Sequence, residues 1–191
     1  DERIGPRFLL AGPGYGGSCF PKDVRAIMAT AREHDHELMI CAATHQANER
    51  QKRYVAESII SYYAGQQNIT ITVWGLAFKP KTDDVRESPA ITIINTLQKE
   101  GIIIKAYDPE GLDGFRRIMG DKIQYAEDAY TALEDADGVV IVTEWNQFKS
   151  PDFLRMLELM RTPVVFDVRN ILNGKELEKL GFMYFGIGRG R

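Results

Sequence analysis

The chain has 191 residues, 44% of them apolar and 27% charged, and a net charge of −3. That length suffices for one or two domains with a sizeable core, and the lack of a basic run argues against nucleic acid as a partner. Two cysteines, Cys19 and Cys41, make no disulfide framework, so a reducing, cytoplasmic compartment is expected. No apolar run approaches the roughly 18–20 residues that span a bilayer, so no membrane partner is expected. No signal peptide is visible, and a start at Asp1 rather than Met reads as a piece of a longer protein.

Residues 1–21 read as loop, apart from a possible short strand at Arg7–Ala11. Within it, Gly12-Pro13-Gly14-Tyr15-Gly16-Gly17-Ser18-Cys19-Phe20-Pro21-Lys22-Asp23 carries a dense set of glycines up to one cysteine and then turns into a helix. Gly12, Gly14 and Gly17 also fit G-x-G-x-x-G, the dinucleotide fingerprint. A genuine fingerprint follows a strand and opens the helix of a βαβ unit. Here residues 24–65 read as helix almost throughout, so no second strand arrives, and Pro21 falls where the helix of that unit should already be running. The loop therefore reads as the presenter of a reactive thiolate, with the positive helix start and Lys22 favouring the ionised sulfur.

The first helix is predicted from Pro21 or Lys22 to about Glu33, with a break at His34-Asp35-His36. A second runs from Glu37 to about Ala64, roughly 40 Å, and Gly65 stops it. Its first half is small and apolar, its middle polar (Asn48 to Arg53), its end aromatic and aliphatic. Such a helix is expected to bridge two domains and to pack on a symmetry mate, giving a homodimer through residues 37–64. Cys41 lies in the apolar part and reads as a buried small hydrophobe. His34 and His36 read as solvated, and His45 has no companion set for a metal.

Beyond Gly65, short apolar runs alternate with helical stretches. Strands are predicted at 69–75, 102–107, 123–125, 138–143, 163–167 and 182–185, and helices at 89–100, 127–135, 150–160 and 174–179. The alternation implies an α/β fold, a doubly wound, mostly parallel Rossmann-like sheet, preceded by the helical segment. The chain thus divides into residues 1–66, the cysteine loop with the helical dimerisation segment, and 67–191, the α/β domain. Ligands of such sheets bind beyond the carboxyl ends of the strands. There the first loop carries Phe78, placed to stack on a base, and Lys79 and Arg86, placed to meet phosphates. Ser88 is the expected cap of the next helix, and Arg169 follows the fifth strand. Thr143-Glu144-Trp145 reads as structural. The domain has no G-x-G-x-x-G, so residue pattern alone implies a nucleotide-type ligand.

Together, Arg3-Ile4-Gly5, the 12–23 loop, the long helix with Asn48, Gly75-Leu76-Ala77-Phe78-Lys79, Asp84-Val85-Arg86-Glu87-Ser88, Tyr107-Asp108-Pro109, Thr143-Glu144-Trp145 and Asp167-Val168-Arg169-Asn170 resemble, in order, the nucleotide-sugar dehydrogenases of the UDP-glucose/GDP-mannose dehydrogenase family, and most closely its UDP-glucose members. The resemblance implies the central helix and the C-terminal UDP-binding domain, without the N-terminal NAD domain, and hence a chain inactive alone. It implies NAD-dependent oxidation of the C6 alcohol of UDP-glucose to UDP-glucuronate, with two NAD reduced. Cys19 is then the nucleophile and Asp23 its assistant. The substrate would lie along Phe8, Leu10, Ala11, Gly12, Gly14, Tyr15, Gly16 and Phe20, using bare glycine backbone, and Phe78, Lys79 and Arg169 would hold the UDP-sugar. Arg3 would reach the substrate of the neighbouring subunit. Cys19, Lys22 and Arg86 would face NAD. Leu10 stands where family members carry a lysine. A GDP-mannose or other nucleotide-sugar 6-dehydrogenase, and a non-catalytic dimeric UDP-binding module, are the alternatives.

Overall fold

The computed structural model describes residues 2, 3, 5 and 9–189. Two helices come first, α1 (Phe20–Glu33) and α2 (Met39–Tyr62). Pro21 sits in the first turn of α1, where its missing N–H costs nothing. The break is the predicted one: Asp35 takes a left-handed φ of 55°, and the His36 N–H returns to the Ala31 carbonyl. At 24 residues α2 is about 36 Å long, two residues shorter than predicted at each end, and Gly65 follows with φ +79°. Leu9 to Ala11 are not in a strand.

From Thr70 the chain alternates: β1 (Thr70–Trp74), α3 (Pro89–Lys99), β2 (Ile103–Tyr107), α4 (Leu112–Met119), β3 (Gln124–Tyr125), β4 (Gly138–Ile141), α5 (Asn146–Lys149), α6 (Phe153–Leu159), β5 (Val164–Asp167), α7 (Gly174–Lys179) and β6 (Met183–Gly186). The strands form one sheet in the order β3-β2-β1-β4-β5-β6, with every neighbouring pair parallel. This is the doubly wound order, which reverses between β1 and β4. Side chains alternate between two cores, as the period of a strand requires. Ile71, Val73, Ile104, Val140 and Phe166 face the α2, α3 and α4 side. Trp74, Val139, Ile141 and Val165 face the α5, α6 and α7 side. Ser88 caps α3 as expected, accepting from the Ala90 N–H at 3.3 Å.

Three elements differ from expectation, one of them α5, which forms ahead of the helix predicted at 150–160. Residues 127–135 are not a helix; the regular piece is a single 3-10 turn, Thr131–Leu133. The strand beneath takes its carbonyls: Thr72 Oγ1 donates to Ala132 O at 2.5 Å and Trp74 Nε1 to Ala129 O at 3.0 Å. The Asp128 carboxylate also accepts from the Tyr130 and Thr131 N–H groups, the local bonding that competes with helix. Conversely, α4 formed where no helix was predicted. Phe115 and Met119, one turn apart, anchor it in the core. Gly114 allows it to lie against Val85, which an added Cβ would approach to 3.3 Å.

The C-terminal part of α2 belongs to the sheet's own core. Val55, Ala56, Ile59 and Tyr63 are buried against it, and the Tyr63 hydroxyl donates to Asp137 O at 2.5 Å, directly before β4. Truncation of Ile59 to Ala is therefore expected to destabilise the fold by about 3 kcal/mol. The exposed neighbour Glu57→Ala should shift stability by less than about 0.5 kcal/mol. Urea unfolding of both variants checks this.

Candidate functional site

The carboxyl edge of the sheet is built around one buried carboxylate. Asp108, fully buried directly after β2, accepts from Leu76 N (2.7 Å), Ala77 N (3.0 Å) and Trp145 Nε1 (3.0 Å) on one oxygen. Its other oxygen accepts from Glu110 N (2.9 Å) and Gly111 N (2.7 Å). In dinucleotide-binding sheets an acidic residue in this region takes the ribose hydroxyls. Here five protein N–H groups fill that carboxylate, and they fix the turn after β1 instead. Gly75, φ +99°, allows that turn to touch Thr143, which a Cβ would meet at 2.5 Å. Thr143 Oγ1 in turn donates to Ala77 O at 2.6 Å. The carboxyl edge is thus closed to a ribose at β2 and presents the later part of the loop, Phe78 to Glu87.

Arg169 crosses this edge. Its own N–H donates to Asp167 Oδ1 (3.2 Å). Its side chain runs back over the switch point, where Nε donates to Val142 O at 2.7 Å and pairs with Glu144 Oε2 at 3.1 Å. Burial works against the guanidinium charge and Glu144 supports it.

The cysteine loop lies against this edge and against α2. Tyr15 N donates to Asn48 Oδ1 (2.7 Å), Asn48 Nδ2 to Tyr15 O (3.2 Å), Gln51 Nε2 to Gly12 O (2.9 Å) and Gly17 N to Arg86 O (2.9 Å). A Cβ on Gly12 would sit 3.0 Å from the Arg169 guanidinium, on Gly14 2.7 Å from Asn48 Oδ1, on Gly16 2.4 Å from Glu87 O, and on Gly17 2.8 Å from the Phe78 ring. The expectation was that bare glycine backbone serves a ligand. At these four positions the space that a side chain would need is filled by protein, so the glycines dock the loop.

Cys19 ends the loop as the N-cap residue of α1 and is exposed. Ser18 Oγ is 3.7 Å from its sulfur, and the Asp23 N–H donates to Cys19 O at 2.8 Å. Asp23 is exposed and pairs with Lys22 at 2.9 Å. Arg86 is exposed but held by Asp84, which accepts from its Nε and Nη2 at 2.9 Å each. Lys22, Arg86, Arg25, Ser18 and Gly17 border a shallow cavity of about 390 Å³. Glu87 and Ile118 border it too, and each of its three cations is paired with a carboxylate: Lys22 with Asp23, Arg25 with Glu87 and Arg86 with Asp84.

Of the other predicted residues, Leu10 and Ala11 are exposed, and Phe20 is exposed with its ring edge-on to Tyr15 at 4.6 Å. Phe78 is half-buried under Gly17, and the exposed Lys79 ammonium lies 5.2 Å over its ring. Arg3 is exposed ahead of the loop; Phe8 lies outside the described residues. The structure thus gathers Cys19, the glycines, Phe78, Arg86 and Arg169 on one edge. Residue patterns missed Gln51, Lys52, Glu87 and Glu144. Asn48, Gln51 and Lys52 are spaced i, i+3, i+4, so a polar stripe at helical period was there to be found. Lys52 is nearly fully buried and pairs with Glu49 at 2.9 Å. Glu87 reaches both Arg25 (2.8 Å) and Lys52 (4.0 Å). Among the described residues, no group of His, Cys, Asp and Glu forms a metal site, and no helix is long and apolar enough to cross a membrane.

The sequence matches two models of the UDP-glucose/GDP-mannose dehydrogenase family: the central domain over residues 1–50 and the UDP binding domain over residues 72–174. It is 45% identical to a UDP-glucose 6-dehydrogenase of Rhizobium meliloti over 99% of this chain and 43% of that protein. It is 42% identical to one of Pseudomonas aeruginosa over 100% of this chain and 44% of that protein. The chain therefore spans less than half the length of these relatives. Among solved structures, it is similar to a UDP-glucose dehydrogenase of Pyrobaculum islandicum (TM-score 0.85, 33% identity, all of this chain and 41% of the other). It is also similar to a UDP-D-ManNAc dehydrogenase of Pyrococcus horikoshii (TM-score 0.76, 28% identity, 94% and 40%).

Two outcomes follow from the site's construction. Asp108→Asn places an amide against five N–H donors and should cost about 3 kcal/mol in urea unfolding. Arg25 and Arg86 hold the carboxyls of Glu87 and Asp84 below the usual range. Depressed carboxylates contribute stability above their unfolded values and lose it as pH falls through the folded ones. The Gly17 amide resonance should therefore move toward its unfolded position between about pH 5 and 3, ahead of the β1 amides, in a pH-resolved NMR titration.

Proposed function

The chain belongs to the UDP-glucose/GDP-mannose dehydrogenase family, and we propose that it supplies the nucleophile and the nucleotide-holding half of the active site in a UDP-glucose 6-dehydrogenase. The observation that carries this reading is the docking of the Gly12–Cys19 loop on the carboxyl edge that bears Phe78 and Arg169. The names of its relatives support UDP-glucose as the substrate. On this reading UDP lies along the edge between Phe78, Lys79 and Arg169, and the sugar runs over residues 10–16 toward Cys19. Lys22 and Arg86 would hold the pyrophosphate of NAD, which when bound would supply the hydride acceptor for each of the two oxidations.

The cysteine answers a chemical need. An alcohol can give up one hydride and become an aldehyde, but an aldehyde has no carbinol hydride left to lose. Addition of the Cys19 thiolate to the carbonyl carbon forms a C–S bond and a thiohemiacetal, which can lose the second hydride and become a thioester. Water then breaks the C–S bond, giving the carboxylate and returning the thiol. On this reading Asp23, in the first turn of α1, holds that water. α2, with its exposed Met39 and Ile40, is proposed to pair with a second copy, in a cytoplasmic protein. The chain alone, spanning less than half the length of its relatives, is expected to make no NADH from UDP-glucose and NAD.

Calorimetry on the chain tests the nucleotide half: UDP and UDP-glucose should bind, GDP should bind at least tenfold more weakly, and no heat at millimolar UDP would refute it. In the complete enzyme, Cys19→Ser should reduce steady-state NADH formation by at least about 10³-fold.

A further inference from the structure

The helix that carries the nucleophile is thinly anchored. Pro21 is the one buried residue of α1, and the helix packs along α2 alone among the elements it chiefly touches. Within this chain, polar contacts add to that packing. Two of these flank Cys19. On one side, the Gly17 N–H donates to Arg86 O at 2.9 Å. On the other, Arg25 Nη2 donates to Glu87 Oε1 at 2.8 Å. Arg25 lies six positions past Cys19, about 9 Å along the helix. Both pins reach consecutive residues of the β1–α3 loop, and two points separated along an axis fix its direction.

Glu87 is built for that task. Its φ of 53° is left-handed, a conformation unfavourable for a non-glycine residue that lasts only where neighbours hold it. That conformation sets its carbonyl against Gly16, while its carboxylate meets two cations. Oε1 meets Arg25 of α1, and Oε2 lies 4.0 Å from Lys52 of α2, itself buried and paired with Glu49. One residue thus joins the loop, α1 and α2. We propose that Glu87 is a positioning residue for the Cys19 thiol, acting through Arg25. The idea rests on the reading of Cys19 as the nucleophile.

Hydrogen exchange on the chain tests the clamp without any activity. The Arg25–Glu87 pair is partly exposed, so its loss should matter modestly. In Glu87→Gln, α1 amides from residue 24 to 33 should exchange about fivefold faster while β1 and β4 keep their protection. Arg25→Gln, at an exposed position, should do the same, and the double variant should go no further than either single. Unchanged α1 exchange, or additive effects, would overturn the clamp. In the complete enzyme, Glu87→Gln should lower kcat about tenfold with KM within twofold, non-additively with Arg25→Gln. An unchanged kcat, or a rise in KM alone, would overturn the positioning role. Full turnover by Cys19→Ser would instead overturn the nucleophile reading beneath it.

Discussion

Contact between a bare backbone and a sheet edge organises this molecule. Gly12, Gly14, Gly16 and Gly17 lie so close to Arg169, Asn48, Glu87 and Phe78 that a methyl group at any of them would force something to move. The affinity of the loop for its seat comes from hydrogen bonds to Asn48, Gln51 and Arg86 and from the removal of Cβ atoms that would hold it away. Because the loop is seated there, the exposed thiol at its end stands beside the carboxyl edge of a sheet whose first strand begins about fifty residues later.

The sheet edge is prepared for this in a way that departs from dinucleotide-binding relatives of the fold. Asp108, available in those sheets to a ribose, is saturated by protein N–H groups. The loop after β1 is therefore rigid near its root and free to be long and charged farther out. That outer stretch supplies both the arginine held by Asp84 and the glutamate that ties α1 and α2. The same topology that holds dinucleotides elsewhere here holds the cysteine loop in place.

Much of the fold was legible because strands and helices of a doubly wound sheet leave strong periodic signals. All six strands fall within two residues of their predicted limits. The failures have local causes. Residues 127–135 look helical by composition, but Thr72 and Trp74 of β1 take the carbonyls a helix would use, and a contact from sixty residues away leaves no trace in a window. α4 was hidden by glycines that exist to let it approach Val85. In the site, Cys19, Phe78, Arg86 and Arg169 were legible because chemistry-bearing residues stood at strand ends and at a helix start. Lys52 and Glu87 were not. A lysine in a polar stretch of helix reads as solvated, and its burial follows from the loop folding over it.

The central claim is that Cys19 and the nucleotide edge form one site. Its most direct test is the rate at which iodoacetamide alkylates Cys19, read by peptide mass spectrometry, with the half-buried Cys41 as internal control. Saturating UDP-glucose should slow alkylation of Cys19 at least severalfold and leave Cys41 unchanged. Equal Cys19 rates with and without bound UDP-glucose would contradict the account.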